Sequence, residues 1–231
     1  VHRRSSVAPS IIELKNIDFL KYNKCLDTSI QKNYYAKKEI LDLLSESWEL
    51  LIYGDYEYVM PVPLKKKFGF RIVLMPIFCQ QLGVFGPTVN GSVELEFLNY
   101  LKKNYKIFTY SFNHQNLITQ NLDRKKNYFI EKTDYKLLRK NYFKGRKSTV
   151  KTAQYLDMKE LKAVQHFEFI KTNFKGLEKK GDSEQFFTYL HFLEAARKLK
   201  LFGSYYKDEL TNIAILIDDY HCFSLLVLII D

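Results

Sequence analysis

WELLIYGDYEYVMPVPLKKKFGFRIVLMPIFCQQLGVFG, residues 48–86, is the stretch that decides the fold. Trp48–Ile52 and Tyr56–Pro61 are β-rich runs of aromatic and large apolar residues, and Gly54-Asp55 between them supplies the turn that lets one fold back on the other. Phe70–Met75 continues the pattern beyond Lys65–Lys67, which reads as a polar turn. Two or three antiparallel strands are therefore predicted. Pro76–Pro87 follows as a stiff loop built on Gly83 and Gly86.

Working outward, Ile17–Ala36 has helical spacing of Phe19, Tyr22, Leu26 and Ile30 with Asp18 as cap, and residues 36–47 make a second short helix. Downstream, residues 93–105 set Val93, Phe97 and Leu101 on one helical face. Residues 106–113 and 126–133 read as strands, and Tyr135–Ala153 as a basic helix. A second unit opens at Met158 with helices over 158–174 and 183–200, the latter capped by Ser183. Strands over 201–208, 209–220 and 221–231 close it. The fold class is α/β (α+β): a mostly antiparallel sheet flanked by helices over 1–153, then an incomplete second copy over 154–231. If the second copied the first in full, roughly 60 to 100 residues would be absent, judged from ordinary domain size. Leu225–Ile230 is too apolar for an exposed edge, which predicts a homodimer through the C-terminal strand. Val1 in place of Met suggests a start elsewhere or a non-standard start codon.

Hydrophobic residues are 46% of the chain, enough for a packed core, and the 18 Phe and 17 Tyr suit broad sheet faces. The formal charge of +10 favours anionic partners. Residues 121–151 hold eleven Lys or Arg against three acids, so most of the net charge sits in this one segment. Three scattered cysteines, Cys25, Cys79 and Cys222, fit neither a disulfide framework nor a zinc site. With no apolar signal core and no spanning run, the expectation is a cytoplasmic protein with no membrane partner and no metal.

The run containing Trp48, Gly54-Asp55-Tyr56, Met60-Pro61, Pro76 and Gln80–Phe85 resembles the N-terminal half of bacterial-type acyltransferases with two GNAT-like domains, distant relatives of the Fem-type peptidoglycan aminoacyltransferases. The segment KGRKSTVKTA, residues 144–153, is similar to the inter-domain helix of that family. The resemblance covers about residues 12–231. It implies two GNAT-like folds facing one cleft, a small-molecule or peptide amine acceptor, and a donor that is an acyl-CoA or an aminoacyl-tRNA. In such folds the loop after the fourth strand and the next helix N-terminus hold the donor pyrophosphate. In the second copy that loop is expected beyond Asp231, so a truncated, non-catalytic remnant or binding module is the alternative.

The candidate substrate-binding residues fall in two groups. Gln80, Gln81, Gly83 and Phe85, with Tyr56 and Phe78 as walls, offer amide groups, close backbone approach and aromatic faces. The other use of the same loop is structural, its glutamines bonding backbone. Arg146, Lys147 and Lys151 near the domain junction suit phosphate, whereas Lys136, Lys140 and Lys144 share one helical face as a solvated stripe. No catalytic residue is identified: the histidines pair with no acid at triad or metal spacing, and no nucleophile elbow occurs. Tyr128, Phe129, Tyr135, Tyr142 and Phe143 interleave the basic segment, which opens a third reading as an RNA-binding surface.

Overall fold

The computed structural model describes residues 9–13, 16–67, 69–118, 122–177, 180–219 and 222–230. The chain is mixed α+β and divides into two compact units, 1–123 and 124–231.

In the first unit, β1 (Ser10–Glu13), α1 (Phe19–Thr28), α2 (Lys38–Leu44), β2 (Ser47–Tyr53), β3 (Tyr58–Lys67) and β4 (Phe70–Val73) precede α3 (Gly91–Asn104) and β5 (Lys106–Ile107). The strands pair in the order β1-β2-β3-β4-β5, antiparallel except for the β4–β5 pair, which is parallel because α3 carries the chain across. Alternation along β2 sends Leu51 toward a core with Met60, Val62, Leu64, Val73, Val93, Phe97 and Leu101. Trp48 lies on the other face, packed on Tyr22 at 5.8 Å between ring centroids, with its Nε1 donating to Asp42 Oδ1 at 2.8 Å.

β3 explains how this sheet ends. Its first seven residues are buried, yet it carries Pro61 and Pro63, which have no N–H to give a neighbouring strand. Pro61 and Pro63 lie opposite Leu50 and Trp48 of β2, and β4 takes up the far edge of β3 only from Leu64 to Lys67. Along the remainder of that edge, Leu74 N–H and the Tyr110 hydroxyl donate to the carbonyls of Pro63 and Pro61 at 3.3 and 2.9 Å. Val59 and Phe85 exchange two backbone bonds of 2.9 Å. The sequence Met60-Pro61-Val62-Pro63 thus opens a gap beside β3, and the 76–90 loop fills it.

The second unit begins with α4 (Tyr135–Asn141) and α5 (Lys144–Thr152) and continues through β6 (Asp157–Leu161), α6 (Phe167–Asn173), α7 (Lys180–Ala195), β7 (Leu199–Tyr206), β8 (Glu209–Asp219) and β9 (Cys222–Ile230). Its sheet runs β6-β7-β8-β9, antiparallel throughout. Ile213, Ile215 and Ile217 alternate inward along β8, and Ile170, Phe186, Tyr189, Leu190 and Leu193 are buried on the helices. From β6 to β9 the order strand, two helices, three strands repeats that from β1 to β4, with the same sequence of neighbours in the sheet.

Several local expectations change. The helix expected over 17–36 ends at Thr28, because Ser29 and Gln31 turn their side chains to the backbone of Gly86. Lys65–Lys67 is not a turn but the exposed end of β3, paired with Phe70–Ile72. Only Lys106 and Ile107 of the strand expected over 106–113 join the sheet as a strand, and 126–133 has no regular structure. Met158–Leu161 is strand rather than helix, since pairing with Leu201–Ser204 overrides the helical propensity of Lys159 and Glu160. α7 starts at Lys180, so Ser183 lies within it, and it ends at Ala195 ahead of a positive φ at Arg197. The basic helix is two helices and falls in the second unit, whereas the division was expected after Ala153. Expectations about His221 and Asp231 lie outside the described residues. β9 pairs with β8, and among the described residues no strand takes its other edge.

Candidate functional site

The strongest concentration of built polar geometry is the loop between β4 and α3. At Gly83 the backbone adopts φ +112°, a conformation open to glycine, and a Cβ there would stand 2.2 Å from Asn116 Oδ1. Gly83 N–H donates to the Tyr110 hydroxyl at 3.0 Å while that hydroxyl donates to Pro61 O, so one half-buried tyrosine ties the loop to β3. Burial pushes the Tyr110 hydroxyl well above the usual phenol range. Asn116 reads Val84 twice, accepting from its N–H at 3.1 Å and donating to its carbonyl at 2.9 Å. Asn113 Nδ2 donates to Leu82 O at 3.0 Å. Gly86 N–H donates to Ser29 Oγ at 3.1 Å and Gln31 Oε1 at 3.3 Å, and a Cβ on Gly86 would enter the Tyr58 ring.

The N-terminus of α3 beside this loop is equally occupied. Asn90 accepts from Ser92 and Val93 N–H, and its carbonyl accepts from Glu94 N–H. Glu94, fully buried in the first turn, accepts from Asn116 Nδ2 at 3.2 Å and from Leu117 N–H at 2.5 Å. A carboxylate there complements the helix dipole and leaves little attraction for an external anion. Desolvation raises the Glu94 pKa above the ordinary value, partly offset by the bonds from Asn116 and Leu117. A second buried carboxylate, Glu49 on β2, accepts from Arg71 Nη1 at 2.5 Å and from the Tyr105 hydroxyl at 2.7 Å. Burial, then that contact, pushes the Tyr105 hydroxyl far up.

The structure brings Gln81, Gly83 and Phe85 together as parts of this weave. Gln81 Oε1 accepts from His114 N–H at 3.3 Å, and Phe85 is wholly buried. Gln80 is at the surface, and Phe78 is half-buried with a φ of +69°. Tyr56, at φ +62°, turns to α1, where its hydroxyl accepts from Asp18 N–H at 2.9 Å. Arg146, Lys147 and Lys151 lie on α5, which has no buried residue, in the second unit. Sequence reasoning missed Tyr110, Asn113 and Asn116, which complete the loop from about thirty residues downstream. Glu94 had a visible signal, an acid in the first turn after a capping Asn90.

Comparison with protein-family models, curated proteins and solved structures finds no match. The chemistry therefore rests on geometry. Among the described residues no cluster of three or more His, Cys, Asp or Glu is arranged to hold a metal ion. No described helix is long and apolar enough to cross a membrane. The second unit contains a recess of about 330 Å³ lined by Leu161, Ala163, Val164, Glu194, Leu199 and Leu201. Its mostly aliphatic wall also carries Lys162, Gln165 and Glu194.

Proposed function

We propose that the chain is an N-acyltransferase-like protein of the GNAT and Fem-like kind, transferring an acyl or aminoacyl group to an amine acceptor. The observation that supports this reading is the repeated order strand, two helices, three strands, completed in the first unit by a helix and a parallel fifth strand. That order agrees with the family resemblance of residues 48–86. It is an argument from fold and not from a reactive constellation.

The two units take different parts in this reading. A donor pyrophosphate would need the N–H groups of the loop after the fourth strand and of the next helix. In the first unit the N–H groups of Gly83, Val84, Phe85, Gly86, Ser92 and Val93 all have partners within the chain. In this reading the donor is therefore held away from that loop, and the first unit serves the acceptor. In the reaction the acceptor nitrogen attacks the donor carbonyl, a C–N bond forms, the C–S or C–O bond breaks, and the proton lost by nitrogen ends on the leaving group. This needs a positioned base and an oxyanion donor but no enzyme nucleophile. The closed loop of the first unit is also the observation that favours the alternative, a non-catalytic binding module.

Calorimetric titration of the protein with acetyl-CoA and free CoA tests the reading. We expect one site whose affinity is unchanged by Glu94→Gln, since the α3 terminus is not where the donor sits. Absence of heat with CoA species and with an aminoacyl ester donor leaves the binding module.

A further inference from the structure

We infer that residues 124–151 form a surface that binds anionic lipid headgroups at a bilayer interface. Residues 123–137 are exposed without exception. Within them stand three consecutive large apolar side chains, Tyr128, Phe129 and Ile130, exposed at 82%, 64% and 79%. α4 and α5 follow with no buried residue, and Leu137 and Phe143 are exposed at 52% and 72%. Water is a poor solvent for such a run, yet the run is laced with cations: Arg124, Lys125 and Lys126 precede the triplet, and Lys132 and Lys136 follow it.

A bilayer interface satisfies both halves of this composition. Aromatic and aliphatic side chains settle at the headgroup and acyl boundary while lysines meet the anionic surface. Charge complementarity alone would also admit a nucleic acid, but two features favour lipid. Eight of the eleven cations are lysine, a point charge suited to a diffuse anionic surface, where stacking and forked phosphate contacts use arginine. Ile130 and Leu137 add aliphatic surface, which inserts among acyl chains and has no stacking role on bases. The expectation of no membrane partner rested on the absence of a spanning run, and lying on a membrane requires none. The inference is independent of the acyl-transfer reading.

The test is co-sedimentation of the protein with vesicles of phosphatidylglycerol and phosphatidylcholine mixed at about one to two, against pure phosphatidylcholine, at low salt. Binding to the mixed vesicles that weakens with salt is expected. Replacing Arg124, Lys125 and Lys126 by Gln should lower partitioning roughly fivefold per charge, about a hundredfold together. Separately replacing Tyr128, Phe129 and Ile130 by Ser should lower it at least about tenfold. Both variants should keep the parent circular dichroism, since no buried side chain is touched. No sedimentation with anionic vesicles, or binding that both variants retain, overturns the inference. Tighter binding of single-stranded oligouridine through the same residues overturns it too and assigns the surface to nucleic acid.

Discussion

Gly83→Ala probes the loop that closes the gap beside β3. An alanine at φ +112° costs roughly 1–3 kcal/mol in backbone strain. Its methyl carbon would stand 2.2 Å from Asn116 Oδ1, well inside the roughly 3.5 Å of an unstrained contact, so Asn116 must swing away. Val84 then loses partners for both its N–H and its carbonyl in a buried place, at roughly 1–3 kcal/mol. The total is about 2–6 kcal/mol, and at roughly 4 °C per kcal/mol for a unit of this size the midpoint should fall by about 8–24 °C. Trp48, the single tryptophan and 2% exposed, reports unfolding of the first unit alone by its fluorescence. Two controls separate clash from strain. Gly69→Ala, at φ +80° with nothing within 4 Å, should cost about 1–2 kcal/mol in the same signal. Gly176→Ala, at φ +122° with nothing within 4 Å but in the second unit, should leave the Trp48 transition unmoved. A Gly83→Ala midpoint no lower than that of Gly69→Ala would refute the idea that Asn116 holds the loop at Gly83 and Val84.

Three further outcomes are expected. The raised pKa of Glu94 means the folded state holds that proton more tightly than the unfolded chain, so its contribution to stability is full below the ordinary glutamate range and is lost as pH rises through the raised value. The stability advantage of the parent over Glu94→Gln should therefore shrink from about pH 4 to 7 in urea unfolding followed by Trp48, and an advantage that grows would contradict the assigned burial. Of the three thiols, only exposed Cys222 should react promptly with a disulfide reagent at mildly alkaline pH, because burial pushes Cys25 up to about 11 and Cys79 higher; two prompt thiols would be inconsistent with the packing. Replacing Arg146, Lys147 and Lys151 together by Gln should move thermal stability by no more than roughly 0.5 kcal/mol at each position, as these side chains are exposed, and a larger loss would show a packing role.

The strands around Gly54-Asp55 were legible because they are runs of aromatic and large apolar residues and their turn is local. Local pattern misled wherever a distant partner decided the outcome. Met158–Leu161 has the lysine, glutamate and leucine of a helix, but a strand was waiting at Leu201–Ser204. The helix over 17–36 looked continuous until Ser29 and Gln31 were needed by Gly86, more than fifty residues away. The candidate loop was found correctly as a loop built on Gly83, while its partners Tyr110, Asn113 and Asn116 were not. Their assignment depends on α3 returning the chain beside β4 in parallel, which no local pattern encodes. The prolines of β3 were in view throughout; their consequence, a gap at the sheet edge, appears only once β3 is known to lie inside the sheet.

The proposed reaction is amide formation by a protein whose two units share one order of elements. Its most direct test is to incubate the protein with acetyl-CoA or an aminoacyl ester donor and a panel of amino acids, short peptides and amino sugars, and to search by mass spectrometry for the amide product. An amide is expected whose formation needs both protein and acceptor and survives Glu94→Gln. No amide with either class of donor, from protein whose Trp48 transition shows it folded, would contradict it.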